Sequence, residues 1–165
     1  FTPGQINRAA HFCGGRIQTR VAGLGTTYSV SIRFWNGMPI DSRPVLGWMF
    51  GRGQNYSAKA TGDSLGLNAK GQLIFGNGQE TLTGKASAER WKWHHALLVR
   101  EGENVQVYLD GKLEISGKAK VPAPVETFFI GGNNSKQSSW EGRLDETAIF
   151  NRALSATEVK ALSTP

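Results

Sequence analysis

A sugar-cleaving enzyme on a β-sandwich would need two catalytic carboxylates on one strand face. The sequence offers no suitable pair. A retaining glycosidase holds its two carboxyl groups about 5 Å apart. Among 13 acidic residues the only Glu-x-Glu is Glu101-x-Glu103, which falls in a predicted hairpin turn. Asp145 and Glu146 are adjacent, so on a regular strand they point to opposite faces. The sequence therefore predicts that the chain is not an enzyme, with a divergent glycoside hydrolase as a remaining alternative.

A serine-esterase string is the second chemical signal. The segment Gly62–Gly66 reads GDSLG and matches the G-x-S-x-G pattern. A nucleophile elbow needs a core strand before the serine and a helix after it. The residues before it, Ala58–Thr61, do not form a core strand pattern, and a predicted turn, Asn68–Gly71, follows. No downstream Asp-x-x-His is present. We interpret the match as accidental.

Histidine and cysteine offer little further chemistry. His94 and His95 are strand neighbours that face opposite ways, so they cannot share a metal ion. One is predicted to be a hydrogen-bonded core histidine and the other a surface residue. The single Cys13 excludes an intrachain disulfide and a multi-cysteine metal site. Next to Phe12 it is predicted to be a small buried hydrophobic residue.

Aromatic residues near loops are the stronger functional signal. Sugar rings have apolar faces that stack on tryptophan and tyrosine, while amide side chains bind hydroxyl groups. Such residues occur in two regions rich in Gly, Asn and Ser. The predicted ligand-binding residues are Trp48, Arg52, Asn55, Tyr56, Asn133, Asn134 and Trp140. Two alternatives stay open, namely that Trp48 belongs to the core and that Trp140 caps the sandwich edge. Trp35 and Trp93 are predicted to be structural.

The elements that would position these residues are mainly strands. Alternation of apolar and polar residues predicts strands at Tyr28–Trp35 and Trp93–Arg100. A hairpin is predicted around Asn68–Gly71, and a tight turn at Asp110–Gly111. In the last strand, Leu144–Phe150, the alternation slips, which predicts a β-bulge near Asp145.

One short helix is predicted to close the chain. Ser155 is a suitable N-cap, and Glu158 completes a capping box before the helix Ala156–Leu162. Many short strands, one terminal helix and no βαβ alternation predict an all-β, antiparallel two-sheet sandwich. Residues 1–165 are predicted to form a single domain. The start Phe1–Gly4 has neither an initiator Met nor a signal peptide, so the domain is expected to come from a larger protein whose other domains are its partners.

Charge and hydropathy limit the classes of binding partner that the sequence predicts. The net charge is +6 and the pI about 9.7, but Lys and Arg are scattered and no nucleic-acid-binding pattern occurs. We therefore predict a solvated basic surface and no specific nucleic-acid partner. No apolar run reaches the length of a membrane-spanning helix. The predicted partner is a glycan or a protein.

The second half of the chain resembles a known superfamily. Trp93–Arg100, Val107–Gly111 and Phe129–Gly132 resemble the laminin-G-like, concanavalin A-like lectin-glucanase superfamily. The most specific similarity runs from Trp140–Glu146 through Phe150–Glu158, whereas the N-terminal half is similar more loosely. The resemblance implies a concanavalin A-like jelly roll whose relatives bind glycans or proteins. It also implies an extracellular, cell-surface or periplasmic location.

The resemblance also bears on calcium. Related sandwiches often hold a structural calcium through an aspartate at the position of Asp145. The family's usual aspartate in its opening motif is replaced here by Cys13. One carboxylate with carbonyls and water makes a modest site. The alternative is that Asp145 binds backbone amides at the bulge. No cofactor is expected to be required.

The functional hypothesis is a non-catalytic carbohydrate-binding or adhesion module of a larger secreted or surface protein. A protein-interaction or purely structural domain is the alternative.

Overall fold

The computed structural model describes residues 1–54, 61–78, 80–122, 125–134 and 138–164. These residues form β1 (Thr2–Pro3), β2 (Arg8–Cys13), β3 (Ile17–Arg20), β4 (Thr27–Asn36), β5 (Gly47–Gly53), β6 (Thr61–Leu67), β7 (Gln72–Gly76), β8 (Thr81–Ser87), β9 (Trp93–Glu101), β10 (Asn104–Leu109), β11 (Lys112–Lys118), β12 (Thr127–Ile130), β13 (Glu141–Phe150) and α1 (Ala156–Ser163).

The strands form two antiparallel sheets. The seven-stranded sheet has the order β1-β2-β13-β4-β9-β10-β11, and the six-stranded sheet has the order β3-β12-β5-β6-β7-β8. This confirms the predicted two-sheet antiparallel jelly-roll β-sandwich with one short C-terminal helix. The strands β3 and β8, at the two edges of the six-stranded sheet, were not predicted. Both have mostly exposed residues, so they lack the apolar alternation on which the prediction relied.

The core lies between the sheets and follows the alternation of the long strands. In β4, Tyr28, Val30, Ile32 and Phe34 point inward and are fully buried. The opposite sheet contributes side chains of the same kind, such as Phe75. Burying an aliphatic or aromatic side chain of this size stabilises the fold by about 1.5–3 kcal/mol. The predicted bulge in β13 is confirmed, because the register with β4 shifts after Asp145.

The helix α1 covers part of the outer face of the seven-stranded sheet. Its capping box is confirmed, since Ser155 accepts from the Glu158 amide and the Glu158 side chain accepts from the Ser155 amide. Val159 is buried and packs with Leu97 and Val99 of β9. A helix of two turns is not stable alone, so this docking holds it in place. No helix among the described residues is long and apolar enough to cross a bilayer.

A buried charged cluster links the two sheets. Tyr28 of β4 donates its hydroxyl hydrogen to Asp63 Oδ2 of β6 at 2.6 Å. Arg100 Nε of β9 lies 3.2 Å from the same oxygen, and both charged side chains are about 1% exposed. Burial raises the pKa of Asp63, while the Arg100 guanidinium acts in the opposite direction. Burial and the neighbouring carboxylate raise the pKa of Tyr28 well above its usual value.

Two predictions about individual residues have different outcomes. Cys13 is exposed at the end of β2, so its prediction as a buried residue is wrong. The alternation of β2 points Phe12 into the core and Cys13 away from it.

His95 is buried and hydrogen-bonded to the hydroxyls of Ser31 and Ser163 at 2.7 and 2.9 Å. His94 is partly exposed and bonds Asp110 at 2.8 Å. His95 is therefore the buried, hydrogen-bonded histidine that was predicted. The prediction of a surface residue is not met by His94, whose side chain is only 11% exposed and whose ring centre lies 5.4 Å from that of the core residue Phe34.

His95 is expected to make stability depend on pH. Burial, with a smaller effect of Arg33, lowers its pKa from 6.5 to about 4. The unfolded chain therefore binds a proton between these values that the folded chain does not bind. The stabilising contribution is present above pH 6.5 and falls toward pH 4, by an amount on the order of 3 kcal/mol at most. Urea unfolding at several pH values should show a smaller decline for His95→Gln, and His11→Gln serves as the exposed control. Equal declines in all three proteins would contradict the assignment.

Replacing only one member of the Asp63–Arg100 pair is expected to lower the free energy of unfolding strongly. Asp63→Ala leaves a buried guanidinium without its carboxylate, which should lower the free energy of unfolding by about 3–5 kcal/mol. The exposed Asp41→Ala should change it by less than about 1 kcal/mol. In a double-mutant cycle by urea unfolding, Arg100→Met should remove much of the Asp63→Ala penalty. Additive losses would show that the two groups do not act as a pair.

Candidate functional site

A cleft lies on the outer face of the six-stranded sheet, on the side away from the core. A row of cross-strand partners crosses this face through Phe129, Gly51, Ser64, Gly76 and Thr81. The cleft has a volume of about 230 Å³. Its described lining residues are Trp48, Gly62, Ser64, Gly76, Gly78, Thr81, Asn133 and Asn134.

Trp48 points into the cleft because β5 contains a bulge. The register between β5 and β6 shifts between Trp48 and Phe50, so both Met49 and Phe50 point into the core. Trp48 is left on the outer face and is partly exposed. The alternative that Trp48 belongs to the core is therefore excluded by its position. Its amide donates to the Ser138 carbonyl at 2.8 Å, which fixes the backbone at this point.

Two glycines allow the Trp48 ring to lie against the sheet. A Cβ atom on Gly66 would come within 2.9 Å of Trp48 Cε3 and within 2.2 Å of the Gly47 carbonyl oxygen. A Cβ atom on Gly76 would lie 3.2 Å from Trp48 Cη2. Any side chain at these positions would push the indole away from the strands. We call Gly66 and Gly76 the glycine floor of the cleft.

The opposite wall is the segment that follows β12. Asn133 lies directly over Gly51, where an added Cβ atom would be 2.6 Å from the Asn133 Cα atom. The Asn134 side-chain amide donates to the Gln54 carbonyl at 3.4 Å. Arg16 supports this wall by donating to the Asn133 carbonyl while its guanidinium stacks 4.2 Å from the Phe129 ring centre. The wall is thus tied to neighbouring strands.

The described lining of the cleft carries no ionisable side chain. It combines one aromatic ring with hydroxyl and amide groups, which can stack and form hydrogen bonds. Ser64 and Thr81 were not predicted as site residues. Alternation along β6 would have placed Ser64 on the face opposite Leu65, but nothing in the sequence indicated that Trp48 lies on that same face.

The predicted site residues are therefore only partly brought together. Trp48, Asn133 and Asn134 meet in the cleft. Asn55 and Tyr56 lie outside the described residues. The remaining two, Arg52 and Trp140, are buried and take structural positions instead.

Arg52 corrects the prediction of a ligand-binding arginine. Its side chain is buried, and its guanidinium donates to the carbonyls of Val125, Gly25 and Leu24 at 2.8, 2.8 and 2.6 Å. These donors hold two connecting segments against the end of the sandwich. They leave the guanidinium occupied by backbone partners that lie far away in sequence.

Trp140 is the second correction. Its ring is fully buried and contacts Phe34 edge to face, with ring centres 5.6 Å apart. It belongs to the main core cluster, in agreement with the structural alternative rather than with ligand binding.

The GDSLG string is strand backbone. Its five residues lie inside β6, with Asp63 facing the core and Ser64 facing the cleft. No helix follows the serine, so the geometry of a nucleophile elbow is absent. This agrees with the interpretation that the match is accidental.

Comparison with known proteins identifies the family. The sequence profile of a laminin G family, described as the Concanavalin A-like lectin/glucanases superfamily, matches residues 14–160. The chain belongs to this superfamily. No curated protein matches the chain in sequence.

Solved structures of this superfamily's fold include parts of larger proteins. Domain 4 of AbnA, a GH43 extracellular arabinanase from Geobacillus stearothermophilus solved with arabinotriose, is 22% identical, with a TM-score of 0.73 over 99% of this chain and 80% of that one. A SAP-like pentraxin from Limulus polyphemus is 17% identical, with a TM-score of 0.62 over 84% and 70%. A sialidase from Trypanosoma rangeli is 17% identical, with a TM-score of 0.72 over 97% of this chain but only 28% of the sialidase. At these identities the similarity shows the fold alone.

Asp145 is the calcium position that the superfamily resemblance implied. Its Oδ2 accepts from the Ile6 amide at 3.1 Å, and its Oδ1 accepts from the Glu146 amide at 3.0 Å. No cluster of three or more Asp, Glu, His or Cys side chains suited to a metal occurs in the described part of the chain. One carboxylate already shared with two amides is a poor fit to an ion that needs six to eight oxygens. The geometry favours the amide-binding alternative.

A thermal melt tests the calcium alternative directly. Because both oxygens of Asp145 already accept backbone hydrogen bonds, we expect Tm to stay the same when millimolar calcium replaces a chelator. Asp145→Ala should lower Tm under both conditions, since it removes two hydrogen bonds at the bulge. A calcium-dependent rise in Tm that is lost in Asp145→Ala would instead establish a metal site.

Proposed function

We propose that this domain is a non-catalytic carbohydrate-binding module and that Trp48 is its stacking platform. The observation that carries the proposal is the Trp48 indole lying on the glycine floor of an open cleft. Tryptophan rings stack on the apolar faces of sugars, and the cost of exposing such a ring is explained by a ligand that covers it. Asn133 lines the opposite wall with an amide group of the kind that binds sugar hydroxyls, and the buried Asn134 ties this wall to the Gln54 carbonyl.

The distribution of carboxylates supports a binding role over hydrolysis. None of the 13 acidic residues falls in a segment left undescribed, and none lines the cleft. Two carboxylates are sequence neighbours of lining residues: Asp63 points into the core and is bonded to Tyr28, and Glu80 accepts from the Lys120 amide at 2.8 Å. A glycosidase would need two carboxyl groups converging on the bound sugar. The domain is therefore proposed to bind its ligand without hydrolysing it.

The wider setting is proposed from similar structures. The arabinanase domain 4 was solved with arabinotriose and belongs to an extracellular enzyme. By analogy, this chain serves as an accessory or adhesion module of a secreted or surface protein, and it holds that protein near a polysaccharide. A protein-binding role is the competing function. It would be favoured if a screen of neutral and acidic glycans found no binding.

Glycan binding should depend on the Trp48 ring. Screening neutral and acidic glycans, including arabino-oligosaccharides, should identify a ligand whose Kd is then measured by calorimetry. Trp48→Ala should weaken binding by about ten-fold or more, because it removes the stacking surface. Gly76→Val should have a similar effect by displacing the ring while retaining it.

The control for both variants is Leu113→Ala, which removes an exposed apolar side chain from β11 in the other sheet. It should bind as the wild type does. If the screen identifies a ligand and Trp48→Ala binds it as tightly as the wild type does, the site lies elsewhere on the domain.

A further inference from the structure

Three of the five tryptophans lie outside both the core and the cleft. Trp35 and Trp93 are cross-strand partners on β4 and β9, and both point to the outer face of the seven-stranded sheet, since their neighbour Phe34 points inward. Trp91 contacts Trp35 with ring centres 4.9 Å apart and the ring planes tilted by 53°, and it is 56% exposed. The helix α1 covers a different part of this face.

Basic groups flank these rings. The Arg143 guanidinium lies 4.6 Å from the Trp35 ring centre, and Arg90 lies 4.1 Å from that of Trp91. His11 is exposed and is the cross-strand partner of Arg143. Trp35, Trp91, Trp93, Arg143 and His11 are called the tryptophan patch below.

No acidic side chain of the described residues forms an ion pair with Arg143. Its Nη1 donates to the Pro3 carbonyl at 3.1 Å, and its Nε is buried without a hydrogen-bond partner in the described part of the chain, so the two Nη groups are the ones that face a ligand. Arg90, by contrast, is paired with Asp41. A guanidinium binds a carboxylate or sulfate group with two parallel hydrogen bonds.

Trp91 is held in a conformation that its type disfavours. Its φ is 64°, in the left-handed region that glycine adopts readily and other residues adopt at a cost. Its amide donates to the carbonyl of the buried Asn36 at 2.9 Å, and the Asn36 side chain donates to the Ala88 carbonyl at 2.9 Å. A rigid backbone thus presents a large apolar ring to solvent at a place where glycine would fit better. Such strain persists only where the surrounding structure holds it, and it occurs often at binding sites, so it motivates a search for a ligand here.

We propose that the tryptophan patch is a second binding site, specific for an anionic polysaccharide. The indoles of Trp91 and Trp35 would stack on sugar rings, and Arg143 would bind a carboxylate or sulfate group on the chain. This site lies on the opposite sheet from Trp48 and is independent of the proposed cleft. Its ligand differs in charge, because the described lining of the cleft carries no ionisable group.

The test uses polygalacturonate as the carboxylated probe, heparin as the sulfated probe and fully methyl-esterified pectin as the uncharged match. The wild type should bind at least one anionic probe and show no binding to the esterified pectin. Trp91→Gly should weaken that binding about five-fold, although no charge changes. It should also leave Tm equal or higher, because glycine relieves the positive φ. Lower Tm together with unchanged binding would show a purely structural role and overturn the proposal.

Arg143→Gln should weaken binding by about ten-fold, since it removes a charge-assisted hydrogen bond. Lys112→Gln removes the same charge from the exposed strand β11 and should change binding less than two-fold. Equal effects of these two variants would indicate diffuse attraction to a basic protein and overturn the site. Trp48→Ala distinguishes the two proposals, because loss of anionic binding in that variant would assign the ligand to the cleft. Absence of binding to both anionic probes would also overturn the second site, without bearing on the first.

Discussion

The buried contact among Asp63, Arg100 and Tyr28 fixes how the six-stranded sheet faces the rest of the molecule. A strand that slips by one residue turns every side chain to the opposite face. In β6 such a slip would turn Asp63 to the outer face and separate it from Arg100. The Arg100 guanidinium would then be buried without its carboxylate, which costs several kcal/mol. With Asp63 and Leu65 held inward, Ser64 and Gly66 must face outward. The same contact that joins the sheets therefore determines what lies beneath Trp48.

The fold was readable from the sequence because its long strands are regular. The alternation of β4 and β9, the Asp110–Gly111 turn and the capping box of α1 each depend on residues close together in the chain. Asp110 and Gly111 have φ values of 49° and 77°, as a turn of this kind requires. Strands such as β3 were missed because they contribute almost no buried side chains. Their pairing comes from the neighbouring strand rather than from their own pattern.

The site was harder to predict, and the reason is a single bulge. In a regular strand Trp48 and Phe50 would share a face, and Trp48 would then belong to the core. The bulge separates them, and its position depends on pairing with β6. Arg52 shows the converse error, since its carbonyl partners Leu24 and Val125 lie 28 and 73 positions away. Proximity to Gly and Asn in sequence suggested a loop, but tertiary contacts placed Arg52 inside.

The outer faces of the two sheets expose indole rings by different structural means. On one face, Gly66 and Gly76 leave room for the Trp48 ring against the sheet, and the described residues that line its cleft are neutral. On the other, Trp91 has a left-handed backbone, its ring contacts that of Trp35 at a tilt, and the Arg90 guanidinium lies 4.1 Å from its ring centre. In both cases a backbone amide of the tryptophan is hydrogen-bonded, to Ser138 or to Asn36. A residue whose backbone is already held loses less conformational entropy on binding, which supports the binding proposed for each tryptophan.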